Sequence, residues 1–222
     1  MCAKGPEKRE TSGFARLLTV ASSPEATRAG VPTEPVARLP ARAPAPSGLA
    51  LEPIGEAGLR WVAALADRIW WQVYPPIIGA AQVHYMLGRG YSLPALRASW
   101  RAGTHYSLLW MGPCRVGFSA WRPTPGSAFL DKLYLLPSLH GRGFGRWLIE
   151  ATCREIAAGG HDAVTLRVNR HNHAALRAYA RAGFAIIGRD RLPIGAGFVM
   201  DDYLMRRSGL NARLVDSPPI NR

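Results

Sequence analysis

Cysteine is scarce in this chain, and so is negative charge. The three cysteines among 222 residues, Cys2, Cys114 and Cys153, form no Cys-x-x-Cys pair and no disulfide framework. A small disulfide-stapled scaffold is thereby excluded, and a reducing cytoplasm is the expected setting. No apolar run is long enough to read as a membrane span. The most apolar region, Trp61 to Leu87, is cut by Asp67-Arg68 and again by Pro75-Pro76. Against 28 Lys and Arg stand only 15 Asp and Glu, a formal net charge of +13. That excess invites a nucleic-acid reading. The arginines are scattered, however, with no basic run interleaved with aromatics and no recognised binding motif. A solvated basic surface that steers a polyanionic cofactor accounts for the charge. Neither nucleic acid nor a membrane is therefore expected as a partner.

What is present is one domain's worth of core with tails. Residues 1–48 are rich in Pro, Ala, Arg and Ser and lack hydrophobic periodicity, which predicts a disordered or low-complexity extension. The short patch Phe14 to Val20 is broken by Arg16 and follows Glu7 and Glu10, which argues against a signal or transit peptide. The domain is expected over 49–207, and 208–222 as a flexible tail. Leu49 to Ile54 suits a first strand. Leu59, Val62, Ala66, Ile69 and Val73 recur at helical spacing. Helices over about 77–87 and 93–101 follow, then strands over 106–111 and 115–121 joined through Gly112-Pro113. Another strand spans Phe129 to Leu136. Beyond it, Leu148, Ile149, Thr152, Cys153 and Ile156 mark the buried face of a helix, with Arg146, Glu150 and Arg154 on the solvated face. An alternating strand over 163–168, a helix opening at Asn172, and closing strands over 185–188 and 198–205 complete the order.

The chain is organised around 130–184. There a strand feeds the turn His140-Gly141-Arg142-Gly143-Phe144-Gly145, which becomes a helix N-terminus. The first helical N–H groups lack intrahelical partners, and the aligned peptide dipoles put partial positive charge at that end. Gly143 and Gly145 remove the Cβ atoms that would hold a phosphate off the backbone, and Arg142 and Arg146 add formal charge. The turn has the character of a pyrophosphate cradle; the competing reading is a tight connection. No Gly-Lys-Ser/Thr follows, so it is not a P-loop, and Arg146 stands where a dinucleotide fingerprint would need its third glycine.

Two motifs narrow the choice. Asn169-x-x-Asn172-x-x-Ala175-x-x-x-Tyr179-x-x-x-Gly183-Phe184 resembles the second signature of the GCN5-related N-acetyltransferase superfamily. His140-x-x-Gly143-x-Gly145 resembles its first, Gln/Arg-x-x-Gly-x-Gly/Ala, in the family's order and spacing. The resemblance covers about 49–207. It implies an α/β (α+β) fold: a mixed, mostly antiparallel twisted sheet of about seven strands flanked by helices, with a splayed central strand pair. It also implies acetyl-coenzyme A as acyl donor, no metal, a small-molecule or peptide amine as acceptor, and a monomer or homodimer.

The same resemblance assigns roles. The backbone of Leu133, Tyr134 and Leu135 would pair with the pantetheine arm, and His140, Gly141, Arg142, Gly143, Phe144, Gly145 and Arg146 would hold the pyrophosphate. The family has Gln or Arg where His140 stands, a departure that touches only that side-chain contact. Asn172 would bond the cofactor arm, although Asn is also a favoured helix cap. Tyr179, seven residues on and on the same helix face, would protonate the departing thiolate; its other reading is a core aromatic. The implied chemistry is direct attack of an amine on the thioester. A Lys-type amine has a pKa of about 10.4, so a proton must be removed first, and the Leu135 N–H would serve the developing oxyanion.

The base is open. Acetyltransferases of ribosomal-protein N-termini carry Glu five residues before the Asn172 position, where this chain has Arg167. Asp131 is the nearest carboxylate in sequence, as a base or as a partner of a nearby cation, and a water chain is a further option. Asp201 and Asp202 either face the amine or make a turn. Tyr74 and Tyr85 lie in the helices that wall the acceptor pocket in this family, as substrate contacts or as core packing. His171-x-His173 lacks partner ligands and reads as a helix-entry loop, and Cys153 as a buried, inert thiol. The leading function is acetyl-coenzyme A-dependent N-acetylation of a primary amine. Its alternative is a non-catalytic acyl-coenzyme A sensor.

Overall fold

A computed structural model of the protein describes residues 48–211. The expected extension over 1–48 therefore lies outside the described residues except for Gly48, and the expected tail lies outside them from residue 212 onward. Strand β1 (Leu49–Ile54) leads through a 3-10 turn to helix α1 (Leu59–Val73), whose Leu59, Val62, Ala66 and Ile69 are buried. The single helix expected over about 77–87 is two. Pro75 starts a short α2 (Pro75–Ile78), Gly79 breaks it at φ 81°, and α3 (Ala80–Gly90) begins afresh. Proline suits a first helical turn, and the left-handed value at Gly79 is one that a side chain would oppose. Helix α4 (Leu93–Arg101) follows as expected.

Strands β2 (His105–Met111), β3 (Cys114–Thr124) and β4 (Ser127–Leu135) form a meander, and α5 (Phe144–Ala158) crosses over to β5 (Ala163–Asn169). Helix α6 (His173–Arg181) then leads to the hairpin β6 (Ala185–Gly195) and β7 (Phe198–Ser208). The expected strand over 185–188 is thus only the start of a longer one that runs to the Gly195 turn. The seven strands lie in the order β1-β2-β3-β4-β5-β7-β6, and only β4 and β5 are parallel. Past Ser208, Leu210 is buried, and its N–H donates to the Asp162 carbonyl at 3.0 Å.

Two apolar clusters lie against this sheet. One joins α1, α4 and β2–β4 through Leu59, Ile69, Leu96 and Phe118; the other joins α5, α6 and β5 through Ile149, Ile156, Leu166 and Phe184. Cys153 belongs to the second and is 3% exposed. Glu150, expected on the solvated face of α5, instead meets Arg207 of β7 in two hydrogen bonds of 3.0 Å each. Arg207 is itself buried, so an uncompensated charge there would be costly, and Glu150 supplies the partner.

The central feature is where β4 and β5 part. Their pairing covers only Ala128–Leu130 against Val164–Leu166, although β4 continues to Leu135 and β5 to Asn169. At that point β4 carries an extra residue: Ala120 pairs with Lys132 and Trp121 with Leu130, leaving Asp131 without a register partner on β3. Such a bulge bends its strand and increases the local twist, which turns the second half of β4 away from β5.

Candidate active site

The opening between the parted strands presents backbone, and strand parity decides which backbone. The Leu136 N–H donates to the Val116 carbonyl of β3 at 2.9 Å. Because direction alternates along an antiparallel strand, Tyr134 faces β3 with its backbone, opposite Phe118. Leu133 and Leu135 turn their N–H and C=O groups to the other edge, where β5 has departed. A ring N–H of His140 meets the Leu135 carbonyl at 3.0 Å, so His140 ties the end of β4 to the turn that follows. Of the three backbone positions singled out in sequence, two address the opening and Tyr134 does not.

The glycine-rich turn lies at the same end. Gly141 and Gly143 hold φ of 74° and 84°, and Gly143 is the N-cap of α5. No side chain caps that helix, so its first-turn N–H groups have no capping partner. A Cβ built at Gly141, Gly143 or Gly145 would meet nothing within 4 Å. The cradle therefore has both the donors and the room that a diphosphate requires. Arg142 and Arg146 are exposed beside it. Phe144 points inward, 8% exposed, with the Arg142 guanidinium 5.1 Å from its ring centre, so it offers the turn its backbone only.

Across the opening stands α6. The Asn172 side chain accepts from the Ala175 N–H at 3.1 Å, which is the helix-cap reading realised; it also lies beside the Tyr74 phenol. Tyr179 is 9% exposed, its ring edge-on to Phe184 with centres 5.5 Å apart. Burial, then the neighbouring Tyr74, Cys153 and Tyr91, push its phenol upward, so it holds its proton through the neutral range. Its hydroxyl oxygen is not among the fully enclosed unpartnered atoms of the described residues.

The opposite face of the sheet carries an aromatic floor. Trp70 stacks on Tyr74 with ring centres 4.5 Å apart, and the Tyr91 hydroxyl donates to that of Tyr134 at 2.9 Å. Burial raises Tyr74, Tyr91 and Tyr134 alike; the Tyr134 hydroxyl opposes the rise at Tyr74 and Tyr91, while those two phenols add to it at Tyr134. Tyr74 belongs with the site. Tyr85 does not project into it: its hydroxyl donates to the Ile194 carbonyl and accepts from Arg89, and its ring lies 5.2 Å from Phe198. It clasps the β6–β7 hairpin to α3, helped by Gln82 donating to the Val199 carbonyl at 3.0 Å.

The carboxylates separate sharply. Asp131, at the bulge, is ion-paired with buried Lys132. Burial works against the Lys132 charge, but Asp131 and the phenols of Tyr91 and Tyr106 outweigh it, and Lys132 stays cationic. Asp201 is gripped by both Arg189 nitrogens, at 3.0 and 2.9 Å, and by Arg170 at 2.9 Å; Arg189 first among them holds it below the usual carboxylate range. Asp202 points to the other face of β7 and is 4% exposed. Burial pushes it up to about 6, Arg167 opposes, and Asp190 and Asp201 add to the rise. Tyr91, Lys132, and the ion pair of Arg167 with Asp190 all escaped sequence reasoning. No motif marks them, and only the sheet order sets β6 beside β7 and β7 beside β5.

Parted parallel strands, a glycine-rich helix entry and a buried tyrosine across the opening define an acetyltransferase fold. The chain belongs to the GNAT acetyltransferase family, whose family model matches residues 66–184, more than half its length. Uncharacterized N-acetyltransferases of Mycobacterium bovis and Mycobacterium tuberculosis are 41% identical to it over 78 residues, 35% of this chain and 49% of theirs. The chain thus spans about half the length of these curated relatives. Among solved structures, it resembles a GCN5-related N-acetyltransferase from Rhodopseudomonas palustris (TM-score 0.62, 21% identity, 73% of this chain and 96% of that one). It also resembles the PaiA N-acetyltransferase of Thermoplasma acidophilum in complex with coenzyme A (TM-score 0.59, 18% identity, 72% and 98%). A spermidine N-acetyltransferase of Vibrio cholerae in complex with coenzyme A and spermine is likewise similar (TM-score 0.55, 17% identity, 74% and 97%).

Proposed function

We propose that the protein transfers an acetyl group from acetyl-coenzyme A to the primary amine of a small molecule or peptide. The observation that carries this reading is the convergence of three features at one end of the sheet: the open cradle at 141–146, the backbone of Leu133 and Leu135, and Tyr179. The coenzyme supplies an activated acetyl thioester when bound. The cradle amides hold its diphosphate, and the free edge of β4 receives its amide-bearing arm as an added strand would be received. The Leu135 N–H is the donor for negative charge that develops on the acyl oxygen. Tyr179 delivers its proton to the departing sulfur. Because burial disfavours a lasting tyrosinate, that delivery runs together with return of a proton from the attacking nitrogen. The scarcity of cysteine, with Cys114 and Cys153 free, supports a cytoplasmic setting.

Thiol release measured over a panel of amines with acetyl-coenzyme A tests the reading. Tyr179→Phe is expected to lower kcat about 100-fold or more while leaving coenzyme affinity unchanged. A protein that binds the coenzyme yet turns over no amine would be a sensor, and the transfer reading would fail.

A further inference from the structure

Asp202 is the buried carboxylate that the reaction above leaves without a task. Its neighbours have other engagements: Arg167 of β5 pairs with Asp190 of β6, while Asp201 faces the opposite side of the sheet with Arg170 and Arg189. Among the described residues no hydrogen bond or ion pair is made to the Asp202 carboxylate. Neither of its oxygens is among the fully enclosed unpartnered atoms, so the carboxylate reaches solvent although the residue is 4% exposed. The carboxylate acts electrostatically on the phenol of Tyr74, which also lies beside Asn172 and Tyr134 and within electrostatic reach of Tyr179. A nitrogen seated between Asp202 and Tyr74 would therefore share Tyr74 as a neighbour with Tyr179 and Asn172.

On the Asp202 side of the sheet one negative charge is left over, while on the other side Arg170 and Arg189 outnumber Asp201 by one. Arg167 and Asp190 cancel, Lys132 and Asp131 cancel, and Asp202 is left over. The rest of the wall is aromatic, with half-buried Tyr74 and Tyr134 over Trp70. One ammonium is matched there. A second along the same molecule would meet the positive charge of Arg167 and, on this wall, no further unpaired carboxylate among the described residues.

We propose that Asp202 binds the acceptor's ammonium and takes its proton, and that the site selects amines with a single cationic nitrogen on an apolar or aromatic body. This rests on the acetyl transfer described above. The proton balance closes. The ammonium gives one proton to Asp202, which later releases it to solvent. The freed nitrogen pair forms the C–N bond as the C–S bond breaks. Tyr179 protonates the sulfur, and the second nitrogen proton restores the tyrosine. The charged and titratable groups acting on Asp202 are Arg167 from β5, Asp190 from β6, Tyr74 at the end of α1 and, from the opposite face of its own strand, Asp201. The resulting ionisation near pH 6 leaves Asp202 a base under neutral conditions.

The test compares wild type with Asp202→Asn and Asp202→Glu in the full chain, using 2-phenylethylamine and spermidine as acceptors and following thiol release across pH. Coenzyme A affinity, measured by titration calorimetry, reports that each variant is folded and loaded. Asp202→Asn is expected to lose roughly 100-fold in kcat/KM for 2-phenylethylamine and to lose the acidic limb of the pH profile, while Asp202→Glu keeps that limb. Wild type is expected to prefer 2-phenylethylamine by about tenfold or more, since a second cation meets like charge. An Asp202→Asn enzyme with wild-type rate and profile, or an equal or greater preference for spermidine, overturns the inference and leaves acetyl transfer standing. Coenzyme binding without turnover of any amine overturns both.

Discussion

The two sides of the groove are made of different material. The proposed cofactor side is backbone: amides of the turn at 141–146, the free edge of β4, and glycines whose missing Cβ atoms leave space. The proposed acceptor side is side chain: Tyr74 at the end of α1, Arg167 from β5, Asp190 from β6 and Asp202 from β7, clasped by Tyr85 from α3. A backbone site tolerates replacement. His140 stands where the resembling signature has Gln or Arg, and its ring holds the Leu135 carbonyl instead of altering the cradle. A side-chain site is redefined by one exchange, because its groups pair across strands, as Arg167 of β5 does with Asp190 of β6.

Separating the two sides mechanically should have the largest effect. Arg207 of β7 and Glu150 of α5 tie the helix behind the cradle to the strand that carries Asp202. Arg207→Ala should cost about 3 kcal/mol in urea unfolding, toward the lower end for a buried pair because Glu150 is partly exposed. An effect near zero would mean that the sides are held by apolar packing alone.

Next comes a gain. The folded-state ionisation of Asp202 lies above its ordinary value of 3.8, near 6, so stability is lost as pH rises from about 4 to about 6 and the full loss is present above that. Asp202→Asn should therefore stabilise the fold by about 3 kcal/mol at pH 7.5, a gain that fades as pH falls from about 6 toward 4. Thermal unfolding followed over that range would show it. A uniform loss of stability would mean that Asp202 serves the fold and not the groove.

The cofactor side can be probed without strain at Gly145, where a Cβ meets nothing and φ is not left-handed. Gly145→Ala should leave the melting temperature equal or higher, since alanine favours helix. Coenzyme A affinity should nevertheless fall about tenfold by calorimetry, because the methyl group occupies the room intended for the diphosphate. The smallest effect belongs to Tyr85→Phe, which removes one hydrogen bond to the Ile194 carbonyl. About 1 kcal/mol of stability should go, with a raised KM for the amine and an unchanged coenzyme affinity. Were coenzyme affinity to change instead, the division between the two sides would be wrong.

The difference in material also explains what sequence could show. Glycine spacing is visible along a chain because consecutive residues build the cradle, and Asn172 and Tyr179 share a helix face for the same local reason. Helix α1 follows directly from periodicity, and strand β1 and helix α4 stand where the sequence places them. The break at Gly79 was missed because a lone glycine within a helical pattern does not announce its φ. Glu150 was misassigned to solvent because its partner lies 57 residues away on β7. Asp131 and Asp202 are alike in a sequence. One lies at a bulge with a lysine beside it, and the other is buried on β7, where the neighbouring Arg167 is paired with Asp190.

Local spacing by itself determined that this chain makes a strand, a glycine-rich turn and a tyrosine-bearing helix in the order that the acetyltransferase family shares, because those contacts are short-range. Only the tertiary structure decided which strand edge is free, which carboxylate is unpaired, and which phenols come together. Those properties depend on burial and on neighbours across the sheet, and neither is written in the order of residues along one strand.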